Sequence, residues 1–427
     1  VPAEFTPLVK LGDTTECVKC QHYLLPGQAV DRVEVPYAIH SDLPEIFESV
    51  GVLYATFPVL PPFDTHKDGP LAEEMRRQIN QGYTAIDGSF EVFLYHLSVP
   101  GGGVEPRKLV VYVVNEDAEH AVELEPHVAV HAAGQMAAAD GPEMRLARQV
   151  FAREFEVATP VRIEPGKGGV LTVTPAIAAV PEGMNAGFLN GIVRGIVTSE
   201  STPKLQIAVV AIPAATEPDA VLSTVESLLG QGAKSGETGM DLRIAPPPCH
   251  LRRVVGVYKN FEWHGAARLN VLELPENNLR FQMALPSVQA VGCEAGRQTR
   301  DMLLSPPYVR QETIGNYTIE YLVQLELVNP SAEPVTIDLR YGKQDASVGL
   351  VWRTAVTDPA TGDVTKSTAD QSGWAGAWTK DDLPDNTRSF LEAPLIIPAN
   401  SERHVTLDFH IAGTSSLPFQ LHVIREQ

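Results

Sequence analysis

Residues 108–130 read KLVVYVVNEDAEHAVELEPHVAV, an apolar run followed by a polar turn and a second run. Residues 322–341 read LVQLELVNPSAEPVTIDLRY and repeat this pattern. In each stretch an asparagine (Asn115 or Asn329) ends the first run, and asparagine favours tight turns. In the second stretch apolar residues recur at every other position, as in a strand with one buried face. The two stretches therefore predict β-hairpins with the same design.

The match between the two stretches continues on both sides. The sequence GSFEV at 88–92 precedes the first stretch as GNYTI at 315–319 precedes the second. Each copy later ends in an apolar strand, at 205–212 and at 419–424. Matching elements in the same order indicate an internal duplication. Many short strands separated by turns predict an all-β fold with two related antiparallel β-sandwich domains and a few short helices.

The helical signals are few. Thr216 can cap a helix that carries Pro218 in its first turn and ends at Gly230. Residues 143–154 and 71–80 are two further candidates. The predicted organisation is an N-terminal segment packed on the first domain (1–87), a first β-sandwich (88–215), a helix and β connector (216–314) and a second β-sandwich (315–427).

The charge of the chain limits its partners. Its 427 residues include 53 acidic and 33 basic side chains, for a net charge of −20. Phosphate backbones repel such a surface, so we expect no nucleic acid partner, whereas divalent cations and basic surfaces are compatible. No apolar stretch approaches the roughly 18 residues that span a bilayer, so we expect no transmembrane segment.

The N-terminus and the cysteines indicate export. The chain begins at Val1 rather than at Met, which we interpret as removal of a signal peptide, although an artificial start would look the same. An even set of four cysteines is compatible with two disulfides in three possible pairings. We favour Cys17–Cys20 and Cys249–Cys293, because the members of each pair are close in sequence.

The spacing of Cys17 and Cys20 has other interpretations. Redox proteins place such a pair at a helix N-terminus, where one thiol has a lowered pKa. Haem attachment would need His where Gln21 stands, and a zinc site would need two more ligands. The absence of a βαβ pattern after the pair favours a structural disulfide.

Two tryptophans are candidate ligand-binding residues. Trp374 and Trp378 are four residues apart in a predicted Gly/Ala-rich loop, SGWAGAW. Exposed aromatic faces can stack on sugars or contact a partner. The alternative is that they anchor the loop to the sandwich, because tryptophan buries a large area.

Two acidic loops are candidate calcium sites, since Ca²⁺ takes six to eight oxygen ligands. Residues 358–363 resemble a simple hairpin tip. The second loop, with Asp381, Asp382 and Asp385, is the better candidate.

Histidines in predicted strands are candidate transition-metal ligands. His127 and His131 share one strand face, and His404, Asp408 and His410 share another. Alternate residues of a sheet can converge on a metal in this way. The alternative is an ordinary solvated outer face.

Short motifs resemble a known family. They are LPGQ at 25–28, PEIF at 44–47, GVLYATFP at 51–58, VGV at 255–257, GNY at 315–317 and the turn at Asn329. In this order they are similar to a bacterial family catalogued as domain of unknown function 3370, which is frequent in cyanobacteria. Its members look exported, and the pair Cys17 and Cys20 is not part of its pattern. The resemblance implies an architecture and a periplasmic or cell-surface location, with no catalytic residues.

Taken together, these features predict a non-catalytic structural or accessory protein of the bacterial cell envelope. We expect it to contact other envelope proteins or surface polysaccharide as a subunit of a larger assembly, with no cofactor other than Ca²⁺ as a candidate. Signatures of a nucleophile, a phosphate-binding loop or an HExxH zinc site are absent. The alternatives are a carbohydrate-binding protein or polysaccharide-acting enzyme, and a metal-dependent enzyme or metal carrier.

Overall fold

The structure of the protein is a computed structural model. The residues that it describes are 16–17, 22–42, 46–47, 50–57, 85–98, 105–133, 141–177, 187–230, 255–274, 279–284, 298–304, 312–313, 317, 319–344, 346–367, 370–378, 386–413, 415 and 419–426. The first strands are β1 (Glu16–Cys17), β2 (His22–Leu24), β3 (Gly27–Asp31), β4 (Tyr37–Ser41), β5 (Ile46–Phe47), β6 (Gly51–Ala55), β7 (Phe90–Ser98), β8 (Arg107–Asn115), β9 (Val122–Ala133), β10 (Glu156–Val157), β11 (Val161–Ile163), β12 (Gly168–Val173), β13 (Gly187–Val197) and β14 (Leu205–Pro213). The later strands are β15 (Val255–Lys259), β16 (Phe261–Asn270), β17 (Leu279–Met283), β18 (Glu320–Asn329), β19 (Val335–Gln344), β20 (Val348–Thr357), β21 (Val364–Lys366), β22 (Gln371–Ala375), β23 (Ala377–Trp378), β24 (Arg388–Ser389), β25 (Leu395–Ile397), β26 (Ser401–Ile411) and β27 (Phe419–Arg425). The helices are α1 (Pro142–Phe151), a 3-10 turn (Pro218–Ala220) and α2 (Val221–Gly230).

The chain forms two compact units. The central unit comprises Asp31–Asn260 and Arg300–Ile314. The C-terminal unit comprises Val1–Val30, Phe261–Thr299 and Gly315–Gln427. Strands of the predicted N-terminal segment therefore divide between the units, because β2 pairs with β17 and β4 pairs with β7. The domain limits drawn from the sequence stay a prediction.

Each unit contains two sheets. In the central unit, sheet A has the order β10-β9-β13-β7-β4-β15, with β11 beside β9 and β5 beside β7, and sheet B has the order β12-β8-β14-β6. In the C-terminal unit, sheet C has the order β21-β20-β26-β18-β16-β3, with β22 beside β20, and sheet D has the order β1-β2-β17-β27-β19-β23, with β24 and β25 beside β19. The predicted all-β fold is confirmed. Sheet B is purely antiparallel, whereas sheets A, C and D are mixed. In sheet A β4 is parallel to β7, and in sheet C β16 is parallel to β18, in each case through a long connection instead of a hairpin.

The core of the central unit lies between sheets A and B. Sheet A contributes Val92, Leu189 and Val193, and sheet B contributes Val111 and Ile207, all fully buried. Burying an aliphatic side chain of this size contributes about 1.5–3 kcal/mol. The contact between the two layers is therefore the main source of stability in this unit.

Sheet B is apolar on its outer face as well. There Val110 and Val210 pack against Val221 and Val225 of α2. A strand that is buried on both faces is apolar at consecutive positions. This explains why residues 109–114 are apolar without alternation.

Helix α1 packs against β9 and β13 on the outer face of sheet A. Pro142 stands in its first turn with Glu143, as is typical of a helix N-terminus, and Met144, Ala147 and Phe151 are buried. The predicted helices near 143–154 and after Thr216 are thus present, whereas residues 71–80 lie outside the described residues. Both described helices have ten residues and neither is long and apolar enough to cross a membrane.

Aromatic rings fill the core of the C-terminal unit. Tyr321 and Phe409 of sheet C stack with ring centres 5.1 Å apart. Phe409 also meets Phe419 of sheet D at 6.0 Å, and Tyr341 of sheet D meets Trp352 of sheet C at 5.4 Å. These contacts join the two sheets into a sandwich.

A buried asparagine ends β8 in the central unit. Nδ2 of Asn115 donates to the carbonyl oxygens of His120 (2.8 Å), Ile163 (3.3 Å) and Glu164 (3.5 Å). Its Oδ1 accepts from the backbone N–H of Asp117 at 3.1 Å. The side chain thus joins the end of β8, the following turn and β11.

The C-terminal unit repeats this corner at the end of β18. Nδ2 of Asn329 donates to the carbonyl oxygens of Glu333 (2.8 Å), Ile397 (3.1 Å) and Pro398 (3.0 Å). Its Oδ1 accepts from the backbone N–H of Ser331 at 3.0 Å. The match of Asn115 with Asn329 in the sequence is therefore also a match of hydrogen bonds. The predicted hairpins are wrong, because the strands before and after each asparagine lie in different sheets.

The alignment of strands by sheet order differs by one strand from the alignment by sequence. By sheet order and strand direction, β7, β8 and β9 occupy the places of β18, β19 and β20. The sequence match instead equates β8 and β9 with β18 and β19. Internal duplication stays a prediction, supported by the two asparagine corners.

We expect Asn115→Ala and Asn329→Ala each to lower the free energy of unfolding by about 2–3 kcal/mol, because buried carbonyl oxygens lose their donor. Asn270→Ala is the matched control. Asn270 accepts from the N–H of Leu272 in a similar turn, but its amide bonds only to the side chain of Glu273. Its loss should cost less than about 1 kcal/mol. Urea unfolding measures all three, and equal losses would contradict the role of the corners.

Candidate functional site

The predicted cysteine and calcium sites lie largely outside the described residues. Cys17 lies in β1, which pairs with β2. Six of the predicted residues lie outside the described residues: Cys20, Cys249, Cys293, Asp381, Asp382 and Asp385. Both the disulfide pairing and the calcium site stay predictions.

The two tryptophans lie in strands rather than in the predicted loop. Trp374 belongs to β22, which pairs with β20, and Trp378 belongs to β23, which pairs with β19. Trp374 is half-buried, and its indole N–H is enclosed with no hydrogen-bond acceptor in the described part of the chain. This position favours the packing interpretation for Trp374, and sugar contact stays a prediction.

The acidic stretch at 358–363 forms the turn between β20 and β21. The N–H of Asp358 donates to the carbonyl of Asp363 at 2.9 Å, and Gly362 has a positive φ of 78°. The carboxylate of Asp358 pairs with Arg403 at 3.0 Å. The stretch is a hairpin tip, as its sequence indicates.

His127 and His131 lie on the same face of β9. Nε2 of His127 is 2.6 Å from Oε1 of Glu125, and Nε2 of His131 is 2.8 Å from Oε1 of Gln149 in α1. Each imidazole is held by its own hydrogen bond, and the two rings do not converge on one point. A metal shared by this pair is therefore not supported.

The second predicted histidine face lies on the outer side of sheet C. His404, Asp408 and His410 alternate along β26 with buried apolar residues. Across the ladder to β18, His404 lies opposite Glu326 and His410 lies opposite Glu320. The strand pairing therefore brings carboxylates to the predicted histidines.

One group on this face has the composition of a metal site. Glu326, Glu402 and His404 each offer a ligand atom, and these atoms lie within 4.8 Å of one another. We call them the carboxylate–histidine group. Oε1 of Glu402 is 3.4 Å from Nε2 of His404. Arg268 of β16 contacts Glu326 and lies 3.2 Å from Oε2 of Glu402.

Sequence reasoning found His404 but missed Glu326, Glu402 and Arg268. Glu402 stands two residues before His404, so both were visible on one face of an alternating strand. Glu326 and Arg268 belong to strands distant in sequence. No local pattern could have revealed them, because strand register decides their approach.

The outer face of sheet A carries a fully buried histidine. His40 is 1% exposed, and its Nε2 is 2.9 Å from the hydroxyl of Tyr258. Burial lowers the pKa of His40 to about 3. Burial, with the nearby charge of Glu91, raises the pKa of Tyr258 well above its usual value. The pair is therefore neutral at physiological pH.

We expect acid to destabilise the fold partly through His40. The folded state resists protonation of His40 down to about pH 3, whereas the unfolded chain binds the proton below about 6.5. Stability should therefore fall as pH decreases within this window, by up to about 1.4 kcal/mol per pH unit from this group. Glutamine does not titrate, so in His40→Gln the slope of unfolding free energy against pH should be shallower by about that amount. Urea unfolding between pH 7 and 4.5 tests this, and equal slopes would disprove it.

A buried amide on the same face has no partner among the described residues. Asn190 of β13 is fully buried, and neither atom of its amide forms a hydrogen bond to them. In register it lies between Tyr95 and His131. An unsatisfied buried polar group costs about 1–3 kcal/mol. We therefore expect Asn190 to weaken the fold.

Asn190→Leu, with a side chain of similar shape, should raise the free energy of unfolding by about 1 kcal/mol, because no hydrogen bond is lost. Thermal and urea unfolding measure the change. A loss of stability would show that the amide has a stabilising partner in solution.

Comparison with known proteins gives a family but no activity. The sequence matches the family described as "Protein of unknown function (DUF3370)" over residues 23–352. No curated protein matches the chain. A crystal structure of an uncharacterized protein from Burkholderia cenocepacia is 10% identical, with 87% of this chain and 91% of that chain covered and a TM-score of 0.13. A structural similarity this low supports no inference about the fold or the function. The family suggested by the short motifs is confirmed, because its model spans more than half of the 427 residues: the chain belongs to the DUF3370 family of proteins of unknown function.

Proposed function

We propose that this chain is a non-catalytic structural or accessory protein of the bacterial cell envelope. In this proposal it is exported and binds other envelope proteins through the edge of a sheet. The observation that carries the proposal is a set of exposed aliphatic side chains on strands at sheet edges. The net charge of −20 favours partners with basic surfaces.

Four described edge strands each expose a branched aliphatic residue. They are Val157 in β10 (56% exposed), Val173 in β12 (37%), Val364 in β21 (50%) and Ile396 in β25 (62%). An edge strand offers unpaired backbone donors and acceptors, to which an extended segment of another protein can add as a further strand. Apolar side chains at such an edge would add contact area to this backbone pairing.

The edges differ in how well they are protected against pairing. Strand β12 has a bulge between Val170 and Thr172, β25 is flanked by Pro394 and Pro398, and β10 has two residues. Short strands, bulges and prolines all oppose strand addition. Strand β21 is also short, with three residues, but all three are exposed and it has neither a bulge nor an adjacent proline. We therefore assign the partner contact to β21.

The test compares Val364→Lys with wild type in binding to envelope fractions isolated from the native organism. Fully burying a valine contributes about 1.5–3 kcal/mol, and Val364 is 50% exposed, so Val364→Lys should weaken association by about four- to tenfold. The matched control is Ile396→Lys, at an exposed aliphatic residue between two prolines, which should bind as wild type does. Sedimentation of labelled protein with the fractions measures binding. A wild-type protein that stays free, or full binding by Val364→Lys, would overturn the proposal.

A further inference from the structure

We propose that the carboxylate–histidine group (Glu326, Glu402 and His404) binds a divalent transition-metal ion such as Zn²⁺. The proposal is independent of the edge contact at β21. Glu326 and His404 lie opposite each other on the antiparallel strands β18 and β26, and Glu402 lies two residues before His404 on the same face. The three ligand atoms lie within 4.8 Å of one another. Carboxylate oxygen and imidazole nitrogen are both ordinary ligands of zinc.

The distance between two of the ligands fits a shared ion. Oε1 of Glu402 and Nε2 of His404 are 3.4 Å apart. Oxygen and nitrogen ligands lie about 2.0–2.2 Å from zinc, so two of them in a tetrahedron are about 3.4 Å apart. A charge-assisted hydrogen bond between the same atoms would be about 2.7–2.9 Å long.

Another pair in the chain shows what the hydrogen-bonded alternative looks like. Glu125 and His127 have the same residue types and the same spacing in β9, but their atoms are only 2.6 Å apart. Nε2 of His404, in contrast, is enclosed and forms no hydrogen bond with any described residue. The pair Glu402 and His404 is therefore set at metal-ligand spacing, and the ligand atom of Glu326 lies within 4.8 Å of both.

Arg268 acts as a positioning residue in this proposal. It lies 3.2 Å from Oε2 of Glu402, which leaves Oε1 facing His404, and it also contacts Glu326. Ligating carboxylates are commonly held by such outer hydrogen bonds. Two carboxylates and one guanidinium leave a net negative charge, which attracts a cation. Three protein ligands leave a fourth position for water or for an anionic group of a partner.

The test is a titration of the metal-free, full-length protein with ZnCl₂ by calorimetry. Wild type should bind one ion through this group. Glu402→Gln and His404→Asn should each weaken binding at least about tenfold, because each removes a ligand at nearly constant shape. The control variants Glu125→Gln and His127→Asn should bind as wild type does. Since the side chains of Glu402 and His404 are 31% and 42% exposed, circular dichroism should show that the variants remain folded.

Cobalt substitution separates this site from the four cysteines of the chain. Co²⁺ held by the carboxylate–histidine group should give visible d–d bands without a thiolate charge-transfer band. Metal binding that survives in both Glu402→Gln and His404→Asn would place the ion elsewhere and overturn the proposal. The absence of stoichiometric binding by wild type would overturn it as well.

Discussion

The fold depends on satisfying buried carbonyl oxygens where the chain passes from one sheet to the other. Asn115 and Asn329 do this with one side chain each, and both are fully buried. Each amide bonds to a carbonyl of the following turn and to two carbonyls at the end of a later strand, β11 or β25. An unpaired carbonyl in such a place would cost about 1–3 kcal/mol. Each asparagine therefore connects its own turn to a strand that is distant in sequence, β11 or β25.

This corner also governs the geometry of the carboxylate–histidine group. Asn329 pairs with Ser401 at the first step of the ladder between β18 and β26, and its amide bonds to Pro398 just before β26. Three steps further along the ladder, Glu326 meets His404. A shift of one residue would turn one of these two side chains to the opposite face of the sheet. The hydrogen bonds of Asn329 thus help to define a register that the proposed metal site requires.

The outer faces of the sheets carry polar groups in enclosed positions. On sheet A the guanidinium of Arg194 lies 3.1 Å from the carboxylate of Glu91 and 4.1 Å above the ring of Phe155. On sheet D, Arg340 lies 2.8 Å from Asp338. Half-buried ion pairs of this kind exclude solvent and hold their side chains in one geometry. The carboxylate–histidine group differs from them, because its two acidic side chains share a single arginine.

The sequence by itself determined the strands on either side of each asparagine, the asparagine turns and the sites of α1 and α2, because each of these depends on neighbouring residues. It did not determine which strands pair, since the strands before and after each asparagine lie in different sheets. Alternation marks a half-buried strand, and an asparagine after an apolar run marks a turn. The histidine face of β26 was visible for the same reason. Only the tertiary structure decided that β4 and β16 run parallel to their partners and that Arg268 and Glu326 approach His404. These contacts join strands that are distant in sequence, and their register comes from backbone hydrogen bonds across the sheet, which leave no periodic signal in either strand.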